Sequence, residues 1–210
     1  MSIFCTDQYR SIEVGRSASF ETDVVIGKCM KQFWDHGFEK TSISDLEACT
    51  GLKRTSLYNS FGNKDELFRA VIEFYIDTQC VYWTDILLGS ENLIDGLDRL
   101  VTTMISDNFD KSHPTGCLIT YSAAGIEHHC EAVSEAINRA HGVMIEGIST
   151  AIQRDIDAGL LSSSVDIRSL ALYLLNHFQG TMVLSKTVGN EASLNAVKNY
   201  SLQLIRDSLQ

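Results

Sequence analysis

TSISDLEACTGLKRTSLYNSFGNKDELF, residues 41–68, holds three helix starts in close succession. Ser42-Ile43-Ser44-Asp45 has the form of a capping box, in which the serine hydroxyl accepts from the Asp45 backbone and the carboxylate reaches back. The helix it opens runs to about Thr50. Gly51 stands where the chain must turn sharply, and glycine tolerates a positive φ. A second short helix is expected over about Arg54 to Ser60. Asn63-Lys64-Asp65-Glu66 offers another cap, and the helix beginning there continues through Phe68, Val71, Ile72 and Tyr75.

Two short helices joined by a tight, glycine-containing turn form a helix-turn-helix, whose second helix enters the major groove of DNA. Leu46, Leu57 and Phe61 are expected to face inward and set the angle between the helices. Lys53, Arg54, Thr55, Ser56, Tyr58 and Asn59 then fall near the exposed face. Arginine pairs with guanine, asparagine with adenine, and serine or threonine with either, while lysine and tyrosine bond phosphates. The N-terminus of the helix starting at Lys64 offers backbone N–H groups and a positive dipole end suited to a phosphate.

Outward from this stretch the chain stays helical. Over 21–36, Val25, Cys29 and Phe33 lie four apart with Ile26 and Met30 alongside, one apolar stripe that Gly37 can end. Further helices are expected at 91–110, 117–128, 130–158, 166–187 and 190–209. A single proline, Pro114, in 210 residues fits long uninterrupted helices. No stretch alternates with period two, so the fold class is all-α. The net charge of −10 argues at first against nucleic acid, but residues 10–70 balance to neutral and the acidic excess lies in 71–210. Phosphate attraction follows the local patch rather than the total. The six cysteines form no CxxC pair. No apolar run suits a signal peptide or a membrane span. A reducing cytoplasm, free thiols and no membrane partner are therefore expected.

Residues 21–75 resemble the DNA-binding domain of the TetR family of repressors. The resemblance rests on Phe33-Trp34-Asp35-His36-Gly37-Phe38, Thr41 through Leu46, Gly51-Leu52, and Ser56 through Phe68. It implies that Thr41, Ser42, Tyr58 and Lys64 hold phosphates, and that Lys53, Arg54, Thr55, Ser56 and Asn59 form the recognition face. Val14-Gly15-Arg16 through Phe20 resembles the arm that precedes this domain in many members, with Ser17 in place of a proline, and Arg16 is expected to reach a minor groove. Lys53 departs from the family, which often has a capping serine or threonine there. Lysine cannot cap, so this helix is expected to start less firmly.

For the C-terminal region the resemblance implies a helical bundle whose last two helices pair with those of a second subunit. Leu170, Leu174, Phe178 and Val183, with Leu194, Val197, Leu202 and Ile205, form stripes that suit a four-helix dimer interface or an intrachain core equally. Cys117, in Pro114-Thr115-Gly116-Cys117-Leu118-Ile119, is placed in the first turn of a helix near His113. There the helix dipole and an imidazolium would favour a thiolate able to sense oxidants or electrophiles. Gly116-Cys117-Leu118 also resembles one subgroup, some of whose members respond to reactive species. A small cysteine packed between helices is the competing reading. His128-His129-Cys130 points in diverging directions, so no metal site is expected. Tyr82, Trp83, Tyr121, Tyr173, His177 and Phe178 are candidates for an effector pocket, or for core.

The expected organisation is an arm over 1–20, a helix-turn-helix domain over 21–68, and an effector-binding and dimerisation domain over 69–210. The function expected is that of a homodimeric repressor, released from a palindromic DNA operator by a small effector or by thiol modification, with no cofactor. An activator or effector-independent regulator is the alternative. A helical enzyme is the remaining option, but no Ser/His/Asp order, phosphate loop or zinc motif supports it.

Overall fold

The structure, a computed structural model, describes residues 17–110, 114–188 and 190–208. Ten α-helices and no strand occur among the described residues. The expected arm falls mostly outside them, and its last residues, from Ser17, already belong to helix α1 (Ser17–His36). α1 ends at Gly37, whose φ of 82° is open to glycine. Then come α2 (Ile43–Thr50), α3 (Arg54–Phe61) and α4 (Lys64–Tyr75). A single π turn, Ile76–Cys80, joins α4 to α5 (Val81–Leu88). Next are α6 (Leu93–Phe109), α7 (Leu118–Ala123), α8 (Glu131–Asp157), α9 (Ile167–Val188) and α10 (Glu191–Ser208).

α8, 27 residues and about 40 Å long, is the central pillar. α4, α5 and α9 all pack on it, while α1 packs on α4 and α2. α4 therefore belongs to both units: it backs the N-terminal helices and leans on α8. The expected boundary after residue 68 falls in the middle of this helix. One continuous apolar core runs from Ile26 and Phe33 on α1 to Leu202 and Ile205 on α10. α5 approaches α8 so closely that a Cβ on Gly147 would lie 2.4 Å from Thr84 Cγ2.

Buried polar groups tie the bundle together. The Asp155 carboxylate, 3% exposed, accepts from Leu93 N at the start of α6 (2.6 Å) and from Arg154 Nε (3.0 Å). Lys198 Nζ donates to Asp98 Oδ1 (2.6 Å) and Thr102 Oγ1 (2.8 Å), clamping α10 to α6. The helix expected over 117–128 is broken: α7 stops at Ala123, and Gly125 leads into a 3-10 turn, Ile126–His128.

The stripes read on the last two helices divide. Leu174, Phe178, Leu194, Leu202 and Ile205 are buried within the chain, and Leu170 and Val197 are partly buried. Val183, from the same stripe, faces out, together with Leu172 and Tyr173 on α9 and Tyr200 and Leu204 on α10.

Candidate nucleic-acid interface and interior cavities

Local chemistry sets the start of each short helix. Ser42 Oγ accepts from Asp45 N (3.2 Å), and Asp45 Oδ2 accepts from Ser42 N (2.8 Å). The Ser42 hydroxyl also donates to Asp45 Oδ2 (2.6 Å), and this bond, with the one from Ser42 N, holds the Asp45 carboxyl below the usual range. Gly51, at φ 78°, makes the turn, and Leu46 and Leu57 are buried beneath it while Phe61 is partly covered. Lys53 occupies the N-cap of α3 and gives no side-chain cap. The missing acceptor comes from α2: Glu47 Oε1 accepts from Arg54 N at 2.8 Å. This carboxylate both caps α3 and fastens it to α2. Sequence reasoning missed Glu47, because a partner seven residues upstream becomes adjacent only once the turn has formed.

The face of α3 away from the core is polar and open. Lys53, Arg54, Thr55, Ser56 and Asn59 are exposed and Tyr58 is half-buried. The Arg54 guanidinium lies 4.9 Å over the Tyr58 ring, which gives a flexible cation a defined position. Ser42 is exposed at the start of α2. Thr41 stands apart from this face: it is fully buried, and its hydroxyl donates to Gly37 O at 2.8 Å. At α4, Asn63 Oδ1 accepts from Glu66 N (3.0 Å) and Glu66 Oε2 from Asn63 N (2.8 Å). That box uses Glu66 N, so the first-turn donors left are those of Lys64 and Asp65. Lys64 is half-buried, with its ammonium 4.3 Å over Phe38. Arg16 and His113 lie outside the described residues.

The expected effector aromatics separate. Trp83 and Phe178 line a cavity of about 30 Å³ in the helical domain, together with Cys80, Cys117, His141 and Met182. Tyr82 and Tyr173, 40% and 48% exposed, face outward. Neighbours on a helix point about 100° apart, so Tyr82 cannot share the direction of Trp83, nor His177 that of Phe178. Tyr121 borders a different cleft, beside α1, and its hydroxyl donates to Met182 O (3.0 Å). Cys117 is the N-cap residue of α7 rather than part of its first turn. It is 7% exposed, and its Sγ accepts from the buried Tyr75 hydroxyl at 3.3 Å. Burial pushes the Cys80 thiol, in the same cavity, well up, with Cys117 adding to the shift. The Gln179 amide nitrogen lies 2.7 Å from His141 Nε2, and burial lowers the affinity of that ring for a proton.

His128, His129 and Cys130 point apart. His128 is exposed beside Glu127, His129 stacks on Phe68 and meets Phe38 edge-on, and Cys130 is exposed. No group of three His, Cys, Asp or Glu side chains gathers as a metal site among the described residues, and no helix among them is long and apolar enough to cross a membrane.

Residues 28–71 match the family described as bacterial regulatory proteins, tetR family, and residues 94–200 match the tetracyclin repressor-like C-terminal domain. The HTH-type transcriptional repressor ComR of Escherichia coli K12 is 27% identical over 191 residues, 90% of this chain and 91% of that protein. The HTH-type transcriptional repressor BdcR of the same strain is 32% identical over 115 residues, 55% of this chain and 57% of that protein. Among solved structures, a cysteine mutant of the TetR family transcriptional regulator CifR, complexed with 26bp operator DNA, superposes with a TM-score of 0.80. It is 27% identical, covering 86% of this chain and 95% of that one.

Proposed function

We propose, from the premise that this chain belongs to the TetR family of bacterial regulatory proteins and is a DNA-binding transcriptional regulator, that it acts as a cytoplasmic, homodimeric repressor. Two copies join through the outward apolar faces of α9 and α10. Each copy then offers one α3 to successive major grooves of a roughly palindromic operator. Lys53, Arg54, Thr55, Ser56 and Asn59 read bases or their flanking phosphates, and Ser42, Tyr58 and Lys64 hold the backbone. Arg16 adds a minor-groove contact. Buried Thr41 positions α2 and touches no phosphate. The open polar face of α3, on a helix fastened to α2 by Glu47, is the observation that carries this reading. Relatives named as repressors, and one neighbour bound to operator DNA, support it.

Release from DNA is assigned to a small effector in the helical domain, with thiol modification at Cys117 as the second route. The resemblance of Gly116-Cys117-Leu118 to one subgroup supports that second route, and the burial of its sulfur favours the first. The narrowness of the cavity is the one observation that favours a regulator without an effector. The test is a gel shift of the full chain on duplex DNA, with its mass in solution read alongside. A dimer retained on a defined sequence is expected, and a monomer that binds no duplex at low salt would contradict the reading.

A further inference from the structure

The chain has two tryptophans, Trp34 on α1 and Trp83 on α5. Each is 6% exposed, and the indole N–H of each is buried without an acceptor. Both line one cavity, where α1 meets the helical domain. Tyr75 stands between them, its ring 5.1 Å from that of Trp34 and 5.9 Å from that of Trp83, edge-on to both. A buried donor with no partner is costly, and native proteins leave few of them. Two such donors on a single cavity mark a place where an acceptor belongs.

This cavity abuts the one lined by Cys117 and Phe178, because Trp83, Met104 and Met182 wall both. The two spaces are small, about 30 and 20 Å³, but methionine is unbranched and has three rotatable bonds, so rotation of Met104 and Met182 would join them into one elongated chamber. Thr120 lines the far part, and its buried hydroxyl also lacks a partner. No lysine or arginine lines either space, and Asp107 borders the Trp34 end. Gln79 and Asn108 border it as well. An anion would meet Asp107 without a counter-charge, and an ammonium, although Asp107 could receive it, would leave both indole N–H groups unpaired.

We propose that this chamber takes a compact, uncharged, mostly apolar effector whose polar atoms are acceptors, a ketone, aldehyde or ester, with an oxygen received by the indole N–H of Trp34 or of Trp83. The inference rests on the reading that the helical domain binds a small effector. Trp34 belongs to α1, which packs on α2 and α4, so a bound molecule touches the DNA-reading unit directly. Its binding alters how α1 seats and weakens the grip on DNA.

The two indoles are the only tryptophan reporters and both are in the site, so emission reads occupancy directly. The full chain is titrated with cyclohexanone, and separately with methylenecyclohexane (the same shape without oxygen), cyclohexanecarboxylate and cyclohexylamine. Saturable change with cyclohexanone is expected, with the three others weaker by about tenfold. Of Trp34→Phe and Trp83→Phe, each read from the remaining indole, at least one should weaken cyclohexanone by about five- to tenfold, the loss of one hydrogen bond, and two variants that both bind as the wild type does overturn the proposal. Methylenecyclohexane binding as tightly as cyclohexanone overturns the proposal, as does the absence of any saturable change in the wild-type chain. The wild-type series decides the matter even if a variant fails to fold. Ligand-free protein is run on duplex DNA in parallel. Intact DNA binding with no response to cyclohexanone removes this inference alone, whereas no duplex binding by the free protein counts against the regulator reading itself.

Discussion

The carboxylate of Glu47, on α2, accepts a hydrogen bond from the backbone nitrogen of Arg54 at 2.8 Å, the first residue of α3. It supplies the acceptor that Lys53 cannot, and it does so from the neighbouring helix. The expectation that α3 starts loosely is thereby corrected: its first turn is tethered through tertiary structure.

Glu47→Ala is expected to cost about 1 kcal/mol, the usual value of a lost N-cap. Operator affinity should fall with it, because α3 loses its fixed angle to α2. Glu47→Gln, which keeps an acceptor, should recover most of both. Urea unfolding and gel-shift titration read the two effects, and an unchanged Glu47→Ala would show that the contact does not hold the helix.

The α3 face separates reading from holding. Lys53→Ala should weaken binding to all duplexes and lower the slope of log K against log salt by about one. Asn59→Ala should relax preference at one base pair by about 1–3 kcal/mol. A uniform loss across sequences for Asn59→Ala would make it a backbone contact instead.

Dimerisation is tested on the outward stripe rather than on the one first read from periodicity. Tyr200 is 69% exposed and Leu204 47%. Tyr200→Glu with Leu204→Glu should give a folded monomer by sedimentation and reduce operator affinity by more than about tenfold, since one half-site alone remains. A dimer that persists would place the interface elsewhere.

Acid stability follows from three histidines. Burial pushes His129, His141 and His177 below the usual imidazole value; at His129, Glu39 and Asp65 partly offset the effect and His128 adds to it. The unfolded chain therefore takes up protons at a higher pH than the folded one. Their contribution is complete above about pH 6.5 and is lost as pH falls through the lowered values. Asp45 and Asp166, held low by their serine partners, add losses only at more acidic pH. The urea midpoint should be flat from about pH 8 to 7 and drop below about 6.5, with a smaller drop in His129→Gln. A midpoint that rises on acidification would contradict this.

The helix-turn-helix was legible because its information is local. Ser42 with Asp45, and Asn63 with Glu66, sit three residues apart and cap whatever the rest of the chain does. Gly51 needs only its own positive φ. What escaped the sequence was tertiary. Glu47 meets Arg54 only after the turn closes. Thr41 looks like a surface hydroxyl until the Phe38 turn buries it. Trp83 and Tyr82 are adjacent in sequence, and nothing local says which of them faces inward. On α9 and α10 the apolar residues exceed one stripe, so periodicity could not tell the face that fills the core from the face left for a second copy.

The central claim, that α3 reads a specific duplex as part of a two-fold dimer, is tested most directly by selecting bound sequences from random duplex DNA with the full chain. The account predicts an enriched palindrome whose half-sites lie about one helical turn apart or a small multiple of it, lost in a variant carrying both Arg54→Ala and Asn59→Ala. No enriched sequence from a folded, dimeric protein would contradict it.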